Sequence, residues 1–414
     1  MKYLHRILFC LLFLQLLSIK VQAHADYDLI VASDLHYIAP SLTDGGACYQ
    51  RLLANGDSKY MPHIEEIAEA FFDEVLEASP EALLLTGDLS FNGAVLSHEA
   101  LIEKLRSVEA AGIPVLVLTG NHDVYNINAA RYHGDSFTHI PSATTALFAE
   151  LYADFGLSEA LSTAPESLSY LYPLNESTRV LMLDLNTEHD FCGISENDLL
   201  WVEEQLRAAR DAGVCVLAAG HQNLYQHSIF RGGYVFSRAD RLAALLRSYG
   251  VPLYLSGHLH IQHILRADRL TEITTSALCS YPCQYAHLCA DSTGIRYETV
   301  RLDMPAWAAR RGLDSALYTH FTEEAAAYMT AHFSGTEALP PAADPACLDE
   351  LRAYMQALNL AYFSGDLRDI AALDPDGSLA GTWLEPGDLT SLYIASILND
   401  TGRDFTVWDS RKAG

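Results

Sequence analysis

The sequence predicts a layered α/β domain with a helical region appended at its C-terminus. Three observations carry this. Short apolar runs alternate with amphipathic segments from residue 26 to about 302, almost every run ends in a cluster of Asp, Asn or His, and beyond Met304 the pattern changes to Ala-rich helical stretches. Strands alternating with helices imply a sheet whose ligand-bearing groups gather at the carboxyl ends of the strands.

Residues 1–25 read as a secretory signal rather than as part of the fold. Lys2 and Arg6 make a basic start, residues 7–17 are almost wholly apolar, and Ala23-His24-Ala25 offers small residues at positions −3 and −1 of a cleavage site. The apolar run falls short of the roughly 20 residues that a membrane span needs, so the expectation is a secreted or periplasmic protein with no span after cleavage. The runs at 29–32, 83–86, 115–119, 180–183, 214–218 and 253–256 are too short for buried helices and rich in Leu and Val, as buried strands are. Between them, 64–77, 98–110, 196–212 and 239–249 carry helical spacing, with Pro62 and Ser195 marking starts and Gly112, Gly213 and Gly250 marking ends. Alternation within 270–302, as in Ile295-Arg296-Tyr297-Glu298-Thr299-Val300, predicts further strands. The region 304–414 has helical stretches at 323–332 and 347–362, broken by Leu339-Pro340-Pro341 and by Asp374-Pro375-Asp376-Gly377. Its Trp307, Trp383 and Trp408 are expected to be packing anchors. The predicted boundaries are therefore 1–25, 26–303 and 304–414.

Composition narrows the function. The 414 residues carry 53 acidic and 26 basic side chains, a net charge of −27. Such a chain repels phosphate backbones and anionic head groups, and it has no Lys/Arg stripe interleaved with aromatics, so no nucleic-acid polymer is expected as partner. An acidic protein that handles a phosphate ester needs metal ions to do so. Seven cysteines follow the predicted signal. Cys215, in Val214-Cys215-Val216-Leu217, reads as a buried small hydrophobe, while Cys279, Cys283 and Cys289 with His287 fit no specific zinc spacing, which leaves disulfides or thiols.

Five motifs carry the chemistry: Asp34-Leu35-His36, Gly87-Asp88, Gly120-Asn121-His122-Asp123, Gly220-His221 and Gly257-His258-Leu259-His260. Each alone is commonplace, but all five follow predicted strands, in order, in one domain. Two divalent ions about 3.5–4 Å apart require a bridging carboxylate with oxygen and imidazole ligands on either side. Two Asp, one Asn and four His supply such a set. Glycine beside four of the motifs is expected to turn the backbone sharply so that the side chains converge.

In these five motifs and their order, residues 27–302 resemble the calcineurin-like metallophosphoesterases. The resemblance implies a four-layer sandwich, with two facing mixed β-sheets flanked by helices. It further implies two divalent ions, one on Asp34, His36, Asp88 and His260 and the other on Asp88, Asn121, His221 and His258, with Asp88 bridging. Manganese, iron, zinc or cobalt would all suit these ligands. A hydroxide bridging the two ions would attack phosphorus in line. His122 is implied to face the substrate and to protonate or stabilise the leaving group, and Asp123 could hold its imidazole in one tautomer. Purple acid phosphatases, a branch of the family, place a tyrosine ligand three residues after the bridging aspartate. Phe91 stands there in this chain, which argues against a tyrosinate-bound ferric centre.

Two segments near the motifs are candidates for substrate contact. Arg231 could receive a phosphate or carboxylate, and the polar stretch 41–60, with Asp44, Cys48, Arg51 and Lys59, is either a selecting loop or a solvated one. The expected function is a secreted, metal-dependent hydrolase of small-molecule phosphodiesters. A phosphomonoesterase or nucleotidase and, from another class, a non-catalytic interaction module are the alternatives. The C-terminal region is expected to pack on the main domain or on a second copy without joining the chemistry, and the oligomeric state is left open.

Overall fold

The computed structural model describes residues 26–54, 58–188, 191–332, 339–340 and 343–412, so the predicted signal at 1–25 lies outside the described residues. The chain opens with three strands of the first sheet, β1 (Tyr27–Ala32), β2 (Ala82–Leu85) and β3 (Val115–Val117), paired in parallel in that order. A separate hairpin, β4 (Ala130–His133) and β5 (Ser136–His139), follows. The second sheet then collects β6 (Ser162–Thr163), β7 (Tyr170–Pro173), β8 (Thr178–Leu183), β9 (Cys215–Gly220), β10 (Leu253–Ser256), β11 (His263–Ala267) and β12 (Leu270–Thr274). Its order is β11-β12-β10-β9-β8-β7-β6, parallel from β12 to β8 and antiparallel at both edges. The chain returns to the first sheet with β13 (Gln284–Asp291), antiparallel to β1, and β14 (Gly294–Arg301).

The apolar runs are continuous because these strands are buried on both faces. Successive side chains point to opposite sides of a sheet. Leu29 and Val31 of β1 therefore enter a core with Leu84, Leu116, Val180, Met182, Leu217 and Leu253, which draws on both sheets. Ile30 and Ala32, with Leu83 and Leu85, meet helices Ile64–Ala78 and Val95–Ala110 on the outer side. The second sheet turns Leu181, Leu183, Val216 and Ala218 toward helices Glu196–Ala212 and Ala239–Ser248. Four layers result, helix, sheet, sheet, helix, as expected. Ser195 caps its helix by accepting a hydrogen bond from the Asp198 amide, and Gly213 ends it in the left-handed conformation. Cys215 and Cys283 are buried thiols.

The region after residue 303 is helical and lies against the sandwich, and its two ends are built into it. Met304 and Trp307, in helix Met304–Arg311, belong to the same core as Phe71. At the other end β15 (Val407–Asp409) pairs antiparallel with β14 as the edge of the first sheet. Between them, helices Phe321–His332, Leu348–Ser364, Ser378–Leu384 and Leu389–Leu398 enclose a core around Leu358, Trp383, Ile394 and Ile397, which also takes Ile261 from the main domain. Buried polar contacts key the two parts together. Gln262 Nε2 donates to the Phe405 carbonyl at 3.0 Å, Gln284 Nε2 to the Ser364 carbonyl at 3.2 Å, and His263 Nε2 lies 3.1 Å from Asp400 Oδ2. No helix of the described residues is long and apolar enough to cross a membrane.

Trp307 is only 1% exposed. Its replacement by Ala should therefore cost about 3–5 kcal/mol in a urea titration. A cost under ~1 kcal/mol would mean that the region past 303 does not share the core of the first sheet.

Candidate metal centre

The five motifs meet at the carboxyl ends of strands from both sheets, with Asp34 after β1, Asp88 after β2, Asn121 after β3, His221 after β9 and His258 after β10. The backbone there is unusual. Asp34, His36, Asp88, His258 and His260 all have φ between 46° and 70°, the left-handed region that non-glycine residues rarely enter. Such strain persists only where the surroundings enforce it. Here the Asp34 amide donates to the Gly87 carbonyl at 3.1 Å and the His36 amide to the Asp88 carbonyl at 2.9 Å, which ties the turn after β1 to the turn after β2. The glycines act differently from expectation. Of the four beside the motifs only Gly87 has a positive φ, while Gly120 is needed for room, because a Cβ there would collide with the Asp88 carboxylate. The sharp turns are made by the functional residues themselves.

Each central carboxylate is anchored through one oxygen and presents the other. Asp34 Oδ2 accepts from Ser33 Oγ at 2.6 Å and from the His258 amide at 3.0 Å. Its Oδ1 lies 3.3 Å from His260 Nε2 and 3.7 Å from His36 Nε2, yet it is buried and receives no hydrogen bond. Asp88 Oδ1 accepts from the His122 amide at 2.7 Å, and its Oδ2 lies 3.5 Å from His36 Nε2 and 3.3 Å from His221 Nε2. His221 Nδ1 is 2.9 Å from the Thr86 carbonyl, to which it donates, so that Nε2 is the atom it turns toward Asp88 and toward Asn121 Oδ1 at 3.1 Å. His258 Nε2 donates to the Gly233 carbonyl at 2.9 Å, which leaves Nδ1 for the site. Fixing the second ring nitrogen in this way sets the tautomer of a ligating histidine.

Protonation states complete the picture. Burial pushes His36 down to about 3 and His258 to about 4, so both are neutral and offer lone pairs. Burial would raise Asp34 and Asp88, but neighbouring imidazoles outweigh it and hold both carboxyls well below their ordinary range. His221 differs: burial alone would lower it, but the Asp88 carboxylate beside it outweighs that and raises it to about 9. Ionised carboxylates and imidazoles gathered in a buried space form a donor set for a cation, and the Asp34 oxygen without a hydrogen bond is costly otherwise. Candidate ligand atoms of Asp34, His36, Asp88 and His260 all lie within 4.8 Å of one another, as do those of Asp88, His221 and His258. Asp88 is common to both groups, and the residues present fit divalent ions.

His122 stands beside this cluster, its ring centre 4.6 Å from that of His36. One expectation about its surroundings is corrected. Asp123 does not touch the His122 ring; its Oδ2 accepts from the amides of Gly120 and Leu89 and its Oδ1 from the amide and hydroxyl of Ser90, so it staples two motif loops together. Neighbours in sequence diverge here because Asp123 is fully buried beneath the turn. The partner of His122 Nδ1 is Asn92 Oδ1, at 3.0 Å. Arg231, the candidate for substrate contact, has an exposed guanidinium 3.8 Å from Asp240, and its loop reaches the centre through Gly233 and Tyr234. Burial lowers His122 as it lowers His36, and Lys59, from the polar stretch 41–60 and 6% exposed, adds to both shifts by bringing positive charge near. Asn92 escaped notice because its role depends on a left-handed turn, φ 63°, that Asn92-Gly93 only hints at. Phe91 packs against the cluster around Ile38.

Comparison with known proteins bears on this geometry. A family model described as calcineurin-like phosphoesterase matches residues 27–262. A probable cyclic nucleotide phosphodiesterase from Synechococcus sp. is 43% identical over 56 residues, which is 14% of this chain and 21% of that protein. The crystal structure of a dimetal phosphatase from Danio rerio superposes with a TM-score of 0.51 at 13% identity, covering 67% of this chain and 99% of that one, a likeness of fold.

Removing the charge shared by the two groups should be the most damaging single change. Asp88→Asn is expected to weaken binding of divalent ions well over tenfold in calorimetric titration, since even supporting partners of ligands are worth about 10–100-fold. Unchanged affinity would contradict the placement of Asp88 at the centre.

Proposed function

Because the chain belongs to the calcineurin-like phosphoesterase family, we propose that it is a metal-dependent hydrolase of small-molecule phosphodiesters. In this reading one divalent ion is held by Asp34, His36, Asp88 and His260 and a second by Asp88, Asn121, His221 and His258. The observation that carries the proposal is the pair of overlapping donor groups that share Asp88. Bound divalent ions would supply an activated water near neutral pH and neutralise the phosphoryl oxygens. The chain's own residues do the rest. Asp34 and Asp88, each pinned through one oxygen, keep the other oxygen in place as charge develops. His122, with Nδ1–H held on Asn92 Oδ1, has Nε2 as its titrating atom and passes a proton from there to the leaving oxygen. Lys59 adds positive charge on the same side.

Two observations favour a diester over a monoester. One cavity, of about 820 Å³, reaches the site at Asn92 and is lined also by Arg51, Asn128, Tyr132 and Phe137, while another, of about 270 Å³, reaches it at His258 and His260. A diester has two organic groups to place, a monoester one. The relative from Synechococcus sp. also carries a diesterase description. The signal-like residues 1–25 support export to the periplasm or the medium as part of the proposal.

With manganese present, bis(p-nitrophenyl) phosphate should be hydrolysed with higher kcat/KM than p-nitrophenyl phosphate, and a chelator should abolish both activities. A preference for the monoester would overturn the diester assignment, and chelator-insensitive turnover the metal dependence. His122→Ala should lose about 10²–10⁴-fold in kcat on esters of alcohols and much less on nitrophenyl esters. An equal loss on both would assign His122 to positioning rather than proton transfer.

A further inference from the structure

The 270 Å³ cavity is closed on one side by three aromatic residues from the region that lies outside the family match. Tyr362 and Phe363 come from helix Leu348–Ser364 and Tyr393 from helix Leu389–Leu398, while Phe230 and Tyr234 come from the loop after His221. The rings form a continuous series that starts on a candidate metal ligand. His258 to Tyr234 is 5.1 Å between ring centres, Tyr234 to Phe230 5.9 Å, Phe230 to Tyr393 6.3 Å and Tyr393 to Tyr362 5.9 Å. Two of the phenols are already committed elsewhere, since Tyr362 donates to the His227 carbonyl at 3.1 Å and Tyr393 to Asn359 Oδ1 at 2.9 Å. Among the described residues no Lys, Arg, Asp or Glu lines this cavity.

A cavity with aromatic walls, no charged lining and two imidazoles of the centre at its mouth selects by ring contact. The geometry points to a substrate subsite for an uncharged planar ring, so that the favoured substrates are phosphate esters carrying one aromatic or heteroaromatic group beside the phosphorus. The volume suits a single ring system, below the roughly 300–1,000 Å³ of sites that enclose larger ligands. The C-terminal region thereby becomes a specificity element rather than a support. This inference rests on the phosphoesterase reading for the placement of the phosphorus, and the ring series is its own observation.

The test compares phenylphosphonate with methylphosphonate, neither of which can be hydrolysed, by calorimetry on the manganese-loaded full chain. The phenyl compound should bind about tenfold more tightly, as aromatic contacts of this kind contribute. Phe230→Ala, at a residue 37% exposed, and Tyr393→Leu, which keeps an apolar side chain but no ring, should each shrink that ratio toward one. Equal affinities in the wild type, or a phenyl preference that survives in both folded variants, would overturn the inference. Hydrolysis of p-nitrophenyl esters measured alongside separates the two ideas. Turnover without phenyl preference sinks the subsite alone, whereas a phenyl preference sensitive to both variants without any turnover sinks the hydrolase reading and upholds the subsite.

Discussion

Two buried carboxylates that each turn one oxygen into a ring of imidazoles are the constraint on which the rest of the molecule turns. Asp34 Oδ1 and Asp88 Oδ2 look into one space, while their other oxygens are tied to backbone amides. Burying such charges costs several kcal/mol per ion unless positive charge balances them, which His221, raised to about 9 beside Asp88, does in part and divalent ions would do in full. Much of the local architecture serves that arrangement. Left-handed turns at five functional residues aim the side chains inward, cross-loop hydrogen bonds hold those turns, and Asp123 fastens the loop of Asp88 to that of Asn121.

The sandwich supplies the rigidity that this strain needs. Both sheets end their central parallel strands at the same edge, so one core fixes ligand residues contributed by five strands. The C-terminal region adds a second layer of constraint. Its edge strand β15 closes the first sheet, and its contact through Gln262 and His263 begins immediately after His260. The candidate ligands His258 and His260 are thus held between the second sheet and the appended helices, the position from which those helices can shape what enters.

The sandwich was legible in the sequence where burial is two-sided. Runs such as Leu83-Leu84-Leu85 have no competing reading, because both faces are apolar and the length excludes a helix. The hairpin at 130–139 and strand β15 were not, since Ser136–His139 is exposed throughout and Val407–Asp409 is three residues in polar surroundings that pair only because β14 offers an edge. The convergence of Asp34, His36, Asp88, Asn121, His221, His258 and His260 could be read from strand-end placement. The local geometry could not. Asp123 follows His122 directly yet points beneath the turn, and Asn92 supports His122 from four residues past Asp88. The aromatic cavity was invisible for a different reason, as Phe230 and Tyr393 are separated by most of the C-terminal region and meet only through packing.

On the proposed reading, the buried anions of this centre are balanced by two divalent ions. Elemental analysis of the full chain after equilibration with manganese, paired with its melting temperature before and after a chelator, tests this most directly. The account predicts two ions per chain and a marked fall in melting temperature when they are removed, because ligands that bind only the folded state stabilise it. A chain that holds no ion and melts at the same temperature with and without chelator would contradict it.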